Sequence, residues 1–252
     1  MKKWLQTLGF LSILWSAFPL MASKTLNIAV ASSLESTFKQ LTPVFEKESG
    51  ITLQASYAST GQLVTHIRHG APFDLFLSAD KTHVLQLEKA GLAEDHVVYA
   101  LGELVLVVSG PNGAQQGIHL LLDPRIKTIA VANPTFAPYG LATMQVLEHT
   151  NLLDRLKPKI IWGESVGQVA SFLKSEAVDA GFMARSQWIA LESKNTPKNW
   201  VWIVPKSLYH PIQQCATRMT SSSSPHEAKR FLLFLQSKPA KQILQANGYL
   251  VG

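Results

Sequence analysis

The 252-residue sequence has a single cysteine, Cys215, and this excludes an internal disulfide. A lone thiol of this kind is most simply buried and inert. The sequence also lacks any run of lysine and arginine with interleaved aromatic residues. Its formal charge of +6 becomes +4 once Lys2 and Lys3 are set aside, and it is spread along the chain. We therefore expect no nucleic-acid partner, neither DNA nor RNA.

Long hydrophobic runs are absent except for one, at residues 8–20. Lys2 and Lys3 precede this run and small residues follow it, which is the pattern of a secretory signal peptide. The alternative, a membrane anchor, is disfavoured because the run is too short for a comfortable span and contains Pro19. Residues 1–22 are therefore predicted to be a signal peptide, and the protein is predicted to be exported to the periplasm.

Most motifs of catalytic sites are missing as well. The sequence has no G-x-S-x-G elbow, no P-loop and no G-x-G-x-x-G fingerprint. His66 and His69 share one helix face, but no H-E-x-x-H motif or carboxylate partner surrounds them, so we expect two solvated histidines. The protein is predicted not to be an enzyme, to need no cofactor and to have no direct metal ligands.

One catalytic alternative stays open at Ser36-Thr37-Phe38-Lys39, which matches the S-x-x-K signature of serine β-lactamases and penicillin-binding proteins. Such a site also needs S-D-N and K-T-G elements, and the sequence contains neither. A motif with two fixed positions occurs often by chance. We expect Ser36 and Lys39 to be an exposed helical pair, and an exported serine acyl enzyme that uses them is the alternative function.

What the sequence does contain is a repeated strand-to-helix design. Each of four units has a short apolar strand, a cluster of small and hydroxyl residues, and an amphipathic helix. The strands of these units are predicted at residues 26–30, 51–57, 129–132 and 160–162. Alternation of this kind predicts parallel-rich sheets flanked by helices, with ligands beyond the carboxyl ends of the strands. The length of the chain fits two such lobes with a cleft between them.

The four clusters predict an anion site. The first N–H groups of a helix have no intrahelical partner, and the helix dipole adds partial positive charge there. Hydroxyl groups beside them add further donors. The clusters are Ser32-Ser33, Ser59-Thr60, Pro138-Tyr139 and Ser165-Val166, and none of them contains lysine or arginine. Four such helix starts could surround a tetrahedral anion with neutral donors.

Helix capping is the competing interpretation of each cluster. Ser32 followed by Glu35 fits a capping box, and Asp80 before Lys81 fits an ordinary N-cap. Four clusters at matching positions in two sheets nevertheless favour a ligand site.

Several stretches of the chain carry a family pattern. The most specific one is "GAPFDLFLSAD" (Gly70 to Asp80). The others are "ASSL" (Ala31 to Leu34), "ASTG" (Ala58 to Gly61), "NPTFAPYG" (Asn133 to Gly140), "VDAGF" (Val178 to Phe182), "FLLFLQSKPAKQIL" and "NGY". Through these stretches the chain resembles the periplasmic molybdate-binding proteins of ABC importers over nearly all of its length after the signal peptide.

This resemblance implies an α/β fold of the type II solute-binding kind, with two lobes that close on molybdate or tungstate. It implies that Ser33 and Thr60 bind the anion through side chain and backbone, and Tyr139 and Val166 through backbone N–H groups. Ser32, Ser59 and Ser165 are neighbouring candidates. Molybdenum would be present only as the bound oxyanion.

The implied lobes are residues 23–103 with 206–252, and residues 104–205. The partners implied are the oxyanion and an ABC permease with its ATPase, and the protein is expected to be a monomer.

Two departures from the family pattern concern the donor set. Thr60 stands where some members have serine, and it keeps the hydroxyl. Ala184 stands where some members have a ligating tyrosine. The missing hydroxyl could be replaced by Tyr139, by a second serine or by water.

A sulfate- or phosphate-specific binding protein is the alternative within the same class. A site made only of donors disfavours protonated phosphate, whose O–H needs an acceptor. Glu35 and Glu164 lie near the clusters in sequence and could supply one.

Overall fold

The computed structural model describes residues 24–110, 117–192 and 199–252. The predicted signal peptide therefore lies outside the described residues. Within the described ranges, no helix is both long enough and apolar enough to span a membrane.

The strands, in chain order, are β1 (Thr25–Ala31), β2 (Thr52–Ala58), β3 (Leu75–Ser78), β4 (Ala93–Gly102), β5 (Leu104–Val108), β6 (Ile129–Ala132), β7 (Ile160–Gly163), β8 (Ala180–Ala184), β9 (Trp200–Ile203) and β10 (Ile212–Met219). The α-helices are α1 (Glu35–Ser49), α2 (Thr60–Arg68), α3 (Lys81–Lys89), α4 (Pro138–His149), α5 (Leu153–Leu156), α6 (Val166–Lys174), α7 (Arg185–Leu191), α8 (Pro225–Leu235) and α9 (Lys238–Ala246).

These strands form two five-stranded sheets, in the orders β2-β1-β3-β10-β4 and β7-β6-β8-β5-β9. In the first sheet β1 pairs in parallel with β2 and β3, whereas β10 is antiparallel to β3 and β4. The second sheet has the same character, with β6 parallel to β7 and β8, and β5 antiparallel to β8 and β9. The predicted fold class, two lobes with parallel-rich sheets flanked by helices, is confirmed.

Lobe 1 is the half of the molecule built on the first sheet, with helices α1, α2, α3, α8 and α9. Lobe 2 is the half built on the second sheet, with helices α4 to α7. The chain changes sheet between Gly102 and Leu104, and again between Ile203 and Ile212. The exact lobe boundaries at 103/104 and 205/206 stay a prediction.

Helix α1 shows how burial of an apolar stripe fixes these elements. Phe38, Leu41 and Phe45 recur with helical spacing and are buried. Phe38 and Phe45 meet Phe231 of α8 in tilted and edge-to-face ring contacts, with centroids 6.0 and 5.0 Å apart. The helix runs on through Pro43, which is an exposed position.

The first crossing between the sheets carries a buried ion pair. The side chain of Glu103 is 7 % exposed and pairs with Arg185, at the start of α7. Lys206, which follows the second crossing, lies with its Nζ 3.6 Å from the other carboxylate oxygen. The two crossings are therefore tied to one another and to lobe 2 through one carboxylate.

Candidate functional site

A small cavity lies between the lobes, where several strands and helices of both sheets meet. Its volume is about 10 Å³. Its lining residues are Ala31, Ser32, Ser33, Ser59, Thr60, Ala79, Ala137, Pro138, Tyr139 and Val166. The structure thus brings together Ser33, Thr60, Tyr139 and Val166, the four residues that the resemblance implies.

The hydroxyl of Ser33 is buried and available to bind a ligand. Ser33 follows β1 in a single 3₁₀ turn and is 1 % exposed. Its carbonyl oxygen accepts hydrogen bonds from the hydroxyls of Ser186 at 2.9 Å and Tyr249 at 3.2 Å. Its own hydroxyl has no hydrogen-bond partner among the described residues. Because buried polar groups are nearly always paired, this hydroxyl is suited to a bound ion.

Thr60, the first residue of α2, contributes a second hydroxyl. It is 1 % exposed, and its Oγ1 accepts a hydrogen bond from the N–H of Ala79 at 3.2 Å. A hydroxyl has one proton and two lone pairs, so this contact leaves the proton free to donate. Threonine at this position therefore still provides a hydroxyl donor, despite its additional methyl group.

Lobe 2 supplies helix starts rather than hydroxyls. Val166 is the first residue of α6, and Tyr139 is the second residue of α4, directly after Pro138. Proline suits this first helical position because its missing N–H would have had no intrahelical partner. The N–H groups of both residues belong to the first turn, where the helix dipole favours negative charge.

The side chain of Tyr139 reaches from the cavity to the hinge. A Cβ atom at Gly102, the last residue of β4, would lie 2.1 Å from the tyrosine oxygen, so the hydroxyl occupies the space that this glycine leaves open. The oxygen has no hydrogen-bond partner among the described residues. Burial raises the pKa of Tyr139 well above 10, and the neighbouring Tyr249 adds to the effect. Ala184 is fully buried and does not line the cavity.

The three neighbouring serines differ in their roles. Ser32 lines the cavity, and its Oγ accepts a hydrogen bond from the N–H of Gly167 at 3.3 Å. Ser59 also lines it, but its hydroxyl donates to Gln62 Oε1 at 2.7 Å. Ser165 does not line the cavity; it caps α6 by accepting from the N–H of Gln168 at 3.2 Å.

The capping interpretation of the first cluster is wrong. The 3₁₀ turn Ser32–Leu34 separates Ser32 from α1, and α1 has no side-chain cap at its start. The reciprocal pattern occurs at α2 instead, where Gln62 Oε1 accepts from the backbone N–H of Ser59 at 3.2 Å. The predicted N-cap at Asp80 is confirmed by a 2.9 Å bond from the N–H of His83.

The lining of the cavity carries no formal charge. Among the described residues, no lysine, arginine, histidine or carboxylate lines it. Glu35 is engaged by Lys39 at 2.6 Å, and Glu164 Oε2 lies 3.5 Å from Gln62 Nε2. Neither carboxylate reaches the cavity, so its side-chain and helix-terminal groups present donors rather than a carboxylate acceptor.

Sequence reasoning missed the contribution of β3 and of the residues that support Ser33. Ala79 directly follows β3, lines the cavity and holds Thr60. Its position beyond the carboxyl end of a parallel strand is the signal that could have identified it. Ser186 and Tyr249 are far from Ser33 in sequence, so no local pattern indicates that they meet it.

The lobes contact each other around the cavity. The N–H of Gly61 in lobe 1 donates to the carbonyl of Phe136 in lobe 2 at 2.8 Å. On another side, Gln187 Nε2 donates to the carbonyl of Ser32 at 3.2 Å. Several polar bonds thus join the two lobes in this closed arrangement.

The remaining candidate chemistry does not form a site. Lys39 Nζ bonds Glu35 rather than Ser36, whose Oγ is buried and without a partner in the described part of the chain. The prediction of an exposed pair therefore holds for Lys39 and is wrong for the hydroxyl of Ser36. Among the described residues no group of three potential metal ligands occurs. Cys215 is fully buried, and its burial raises the pKa of its thiol to about 12.

Comparison with known proteins finds relatives that match the chain over most of its length. Residues 26–250 match the family model described as "Bacterial extracellular solute-binding protein". The chain is 34% identical over 225 residues to the molybdate-binding protein ModA of Azotobacter vinelandii, covering 88% of each chain. It is 32% identical over 225 residues to the molybdate-binding protein ModA of Rhodobacter capsulatus, covering 88% of this chain and 86% of that one.

A solved structure shows the same fold. The Azotobacter vinelandii periplasmic molybdate-binding protein superposes with a TM-score of 0.84 at 34% identity, covering 90% of this chain and 99% of that one.

Proposed function

This chain belongs to the family of bacterial extracellular solute-binding proteins, and from that premise we propose that it is the molybdate-binding component of an ABC importer. One observation carries the ligand class. The buried, unpartnered hydroxyl of Ser33 lies in a small cavity that is lined by neutral groups at helix starts from both lobes. A compact oxyanion satisfies such groups without any counter-charge.

The donor set is the one implied by sequence. Ser33 and Thr60 each offer a hydroxyl and a backbone N–H, and Tyr139 and Val166 each offer a backbone N–H. A hydrogen bond to a charged group contributes about 1.5–3 kcal/mol, so these six donors together offset much of the ion's dehydration. No buried lysine or arginine has to be desolvated or released when the ion leaves.

Molybdate and tungstate suit this site better than phosphate. Both are fully deprotonated dianions with four acceptor oxygens, whereas hydrogen phosphate carries an O–H that needs an acceptor. The cavity lining contains no carboxylate to accept that proton. Sulfate has the same charge and tetrahedral shape as molybdate and differs from it in size. We propose that sulfate binds more weakly.

The protein acts as a monomeric carrier in the periplasm, after removal of residues 1–22. Hinge motion about the two crossings opens and closes the lobes. The closed form then binds to a permease with its ATPase and delivers the ion. It is not an enzyme and uses no cofactor. The crossings at Glu103 and near Lys206 are the positions where the backbone turns.

Calorimetric titration of the mature protein tests the proposal. We expect one molybdate per chain, similar binding of tungstate, and weak or absent binding of sulfate and phosphate. Ser33→Ala should weaken molybdate roughly 10- to 150-fold, because it removes one hydrogen bond to a charged ligand. Ser36→Ala is the matched control, since Ser36 also has a buried unpartnered hydroxyl but lies outside the cavity.

Two results would contradict the proposal. Equal losses in both serine variants would mean that the cavity is not the site, and stronger binding of sulfate than of molybdate would keep the fold and discard the ligand. A chromogenic β-lactam is included as a substrate for the acyl-enzyme alternative. We expect no turnover, because Ser36 has no base within reach.

A further inference from the structure

A second, larger groove lies between the lobes, outside the anion cavity. Its volume is about 430 Å³. Three helix faces form it, from α1 of lobe 1 and from α6 and α7 of lobe 2. The lining residues are Ser32, Glu35, Ser36, Lys39, Gly167, Ala170, Ser171, Lys174, Gln187, Ala190 and Leu191.

The two longer walls of this groove follow the same design. The α1 side presents residues 32, 35, 36 and 39, and α6 presents residues 167, 170, 171 and 174. This i, i+3, i+4, i+7 spacing puts the second set on one face of α6. Residues 35, 36 and 39 share one face of α1, and Ser32 lies in the 3₁₀ turn before that helix. Small residues form most of the floor, and each row ends in an exposed lysine, Lys39 or Lys174. The S-x-x-K motif of the sequence is therefore part of a groove wall and not of a catalytic pair.

Two polar atoms in the groove lack partners in the described part of the chain, namely Ser36 Oγ and Gln187 Oε1. Gln187 is 7 % exposed, and its Nε2 is already committed to the carbonyl of Ser32. Its oxygen can be satisfied only by a donor that enters the groove. Such a donor would most simply be a backbone or side-chain N–H.

The charges of the groove favour an acidic occupant. Lys39 is paired with Glu35 at 2.6 Å, which neutralises that pair. Lys174 makes no ion pair with any described residue, so the groove keeps one uncompensated positive charge at its rim. A ligand that offers both N–H donors and a carboxylate, as an acidic peptide segment does, matches both features.

The groove exists only while the lobes are closed. Lobe 1 contributes one wall and lobe 2 the other, and two hydrogen bonds to Ser32 join them, from Gly167 N–H at 3.3 Å and from Gln187 Nε2 at 3.2 Å. Ser32 also lines the anion cavity. Because hinge opening separates the walls, any molecule that binds across them is coupled to anion binding through the same equilibrium.

We propose that this groove is where the membrane subunit of the importer distinguishes the loaded carrier, by inserting an acidic segment between α1 and α6 that reaches Lys174 and Gln187. The inference rests on the proposed function, since only a transport partner needs a surface that the closed form alone presents. The groove is separate from the anion site, so the two proposals can fail independently.

The test uses the mature protein with its membrane and ATPase subunits in proteoliposomes, with molybdate as ligand and ATP hydrolysis as readout. Lys174→Glu should raise the concentration of carrier that gives half-maximal stimulation on the order of tenfold, because it replaces attraction by like-charge repulsion. The molybdate Kd of the same variant should stay within about twofold, since Lys174 is outside the cavity. Lys47→Glu, an exposed charge reversal on the same α1 but outside the groove, should leave both values unchanged.

A second measurement identifies the occupant. Ser171→Cys carries a benzophenone maleimide in the groove, and Lys47→Cys carries it outside; Cys215 is fully buried and does not compete. We expect molybdate-dependent cross-linking to an acidic stretch of the membrane subunit from position 171 only. Normal stimulation by Lys174→Glu, or equal cross-linking from both positions, would overturn the groove proposal. Failure of the wild-type protein to bind molybdate would overturn the proposed function instead.

Discussion

At the scale of single residues, the proposed anion site consists of groups that do not change their charge near neutral pH. The hydroxyls of Ser33 and Thr60 do not titrate, and burial keeps Tyr139 a neutral phenol because its pKa is raised well above 10. Neighbours that are distant in sequence hold two of these residues: Ser186 and Tyr249 donate to the carbonyl of Ser33, and the N–H of Ala79 donates to the hydroxyl of Thr60. Such second contacts fix the direction of a donor before the ligand arrives.

The Tyr139 hydroxyl is one candidate to replace the ligating tyrosine hydroxyl of some family members, because this chain has Ala184 at that position. The Tyr139 hydroxyl lies against Gly102 and has no partner among the described residues. We therefore expect Tyr139→Phe to keep the molybdate Kd within about twofold, because the backbone N–H is the donor and an unpaired hydroxyl contributes little. Calorimetry side by side with Ser33→Ala measures this. If Tyr139→Phe weakened molybdate binding as much as Ser33→Ala does, the Tyr139 hydroxyl would be the group that replaces the hydroxyl missing at Ala184.

At the scale of elements, the sequence predicted the strands that begin the four strand-to-helix units, because their apolar runs are short and bounded by small residues. It did not predict β4, β10 or α7. Strand β10 (Ile212–Met219) carries the buried polar residues Gln214 and Thr217, which interrupt any apolar or alternating pattern. Thr217 is satisfied by the carbonyl of Glu94 at 2.8 Å, a partner on β4 that only the folded chain brings near.

Strand β4 (Ala93–Gly102) escaped prediction for a related reason. Asp95 has a left-handed φ of 59°, and the pairing of β4 with β10 shifts register twice. Such irregularities break the two-residue period from which strands are recognised. Local sequence signals at helix starts indicated the four clusters, and the structure brings Ser33, Thr60, Tyr139 and Val166, the residues that the resemblance implied, to one cavity. The supports of those residues could not be predicted, because they depend on tertiary contact.

The start of α2 is where one glycine decides whether the lobes can meet. A Cβ atom at Gly61 would lie 2.9 Å from Phe136 Cα, closer than real Cβ contacts, and 3.1 Å from its ring, which is a tight contact. Within a helix, alanine is more favourable than glycine by about 1 kcal/mol. Gly61→Ala should therefore leave the free energy of unfolding unchanged or higher, while weakening molybdate by roughly tenfold or more because closure is obstructed.

Two measurements separate these effects. Denaturant unfolding without ligand reports the stability of the variant, and small-angle scattering with saturating molybdate reports whether the lobes close. An unstable variant would indicate a general packing defect. If the variant is stable, closes and binds molybdate like the wild type, Phe136 moves aside without loss of affinity. Gly61 would then not be required for lobe closure.

At the scale of the whole molecule, the two lobes form one thermodynamic unit when the anion is bound. Most of the apolar core of each lobe is its own, and Ala31, Ala79 and Ile212 of lobe 1 join the core of lobe 2. Polar bonds such as Gly61 to Phe136 and Ser186 to Ser33 also join the two lobes. Polar contacts of this kind are modest individually, so the lobes can separate at the hinge. Donors from both lobes converge on one ion, which adds a link that the apo protein lacks.

This arrangement predicts a selective thermal shift. A ligand that binds only the folded chain stabilises it by about 2.7 kcal/mol at a free concentration 100 times its Kd. For a protein of this length each kcal/mol raises Tm by about 2–4 °C, so molybdate should raise Tm by roughly 5–10 °C. Scanning calorimetry at equal concentrations of molybdate and sulfate, with wild type and Ser33→Ala, checks the prediction. The shift should be large only for wild type with molybdate, because the other combinations bind less of the ion. Equal shifts with both anions would indicate a general salt effect on the two lobes and not capture of one ion between them.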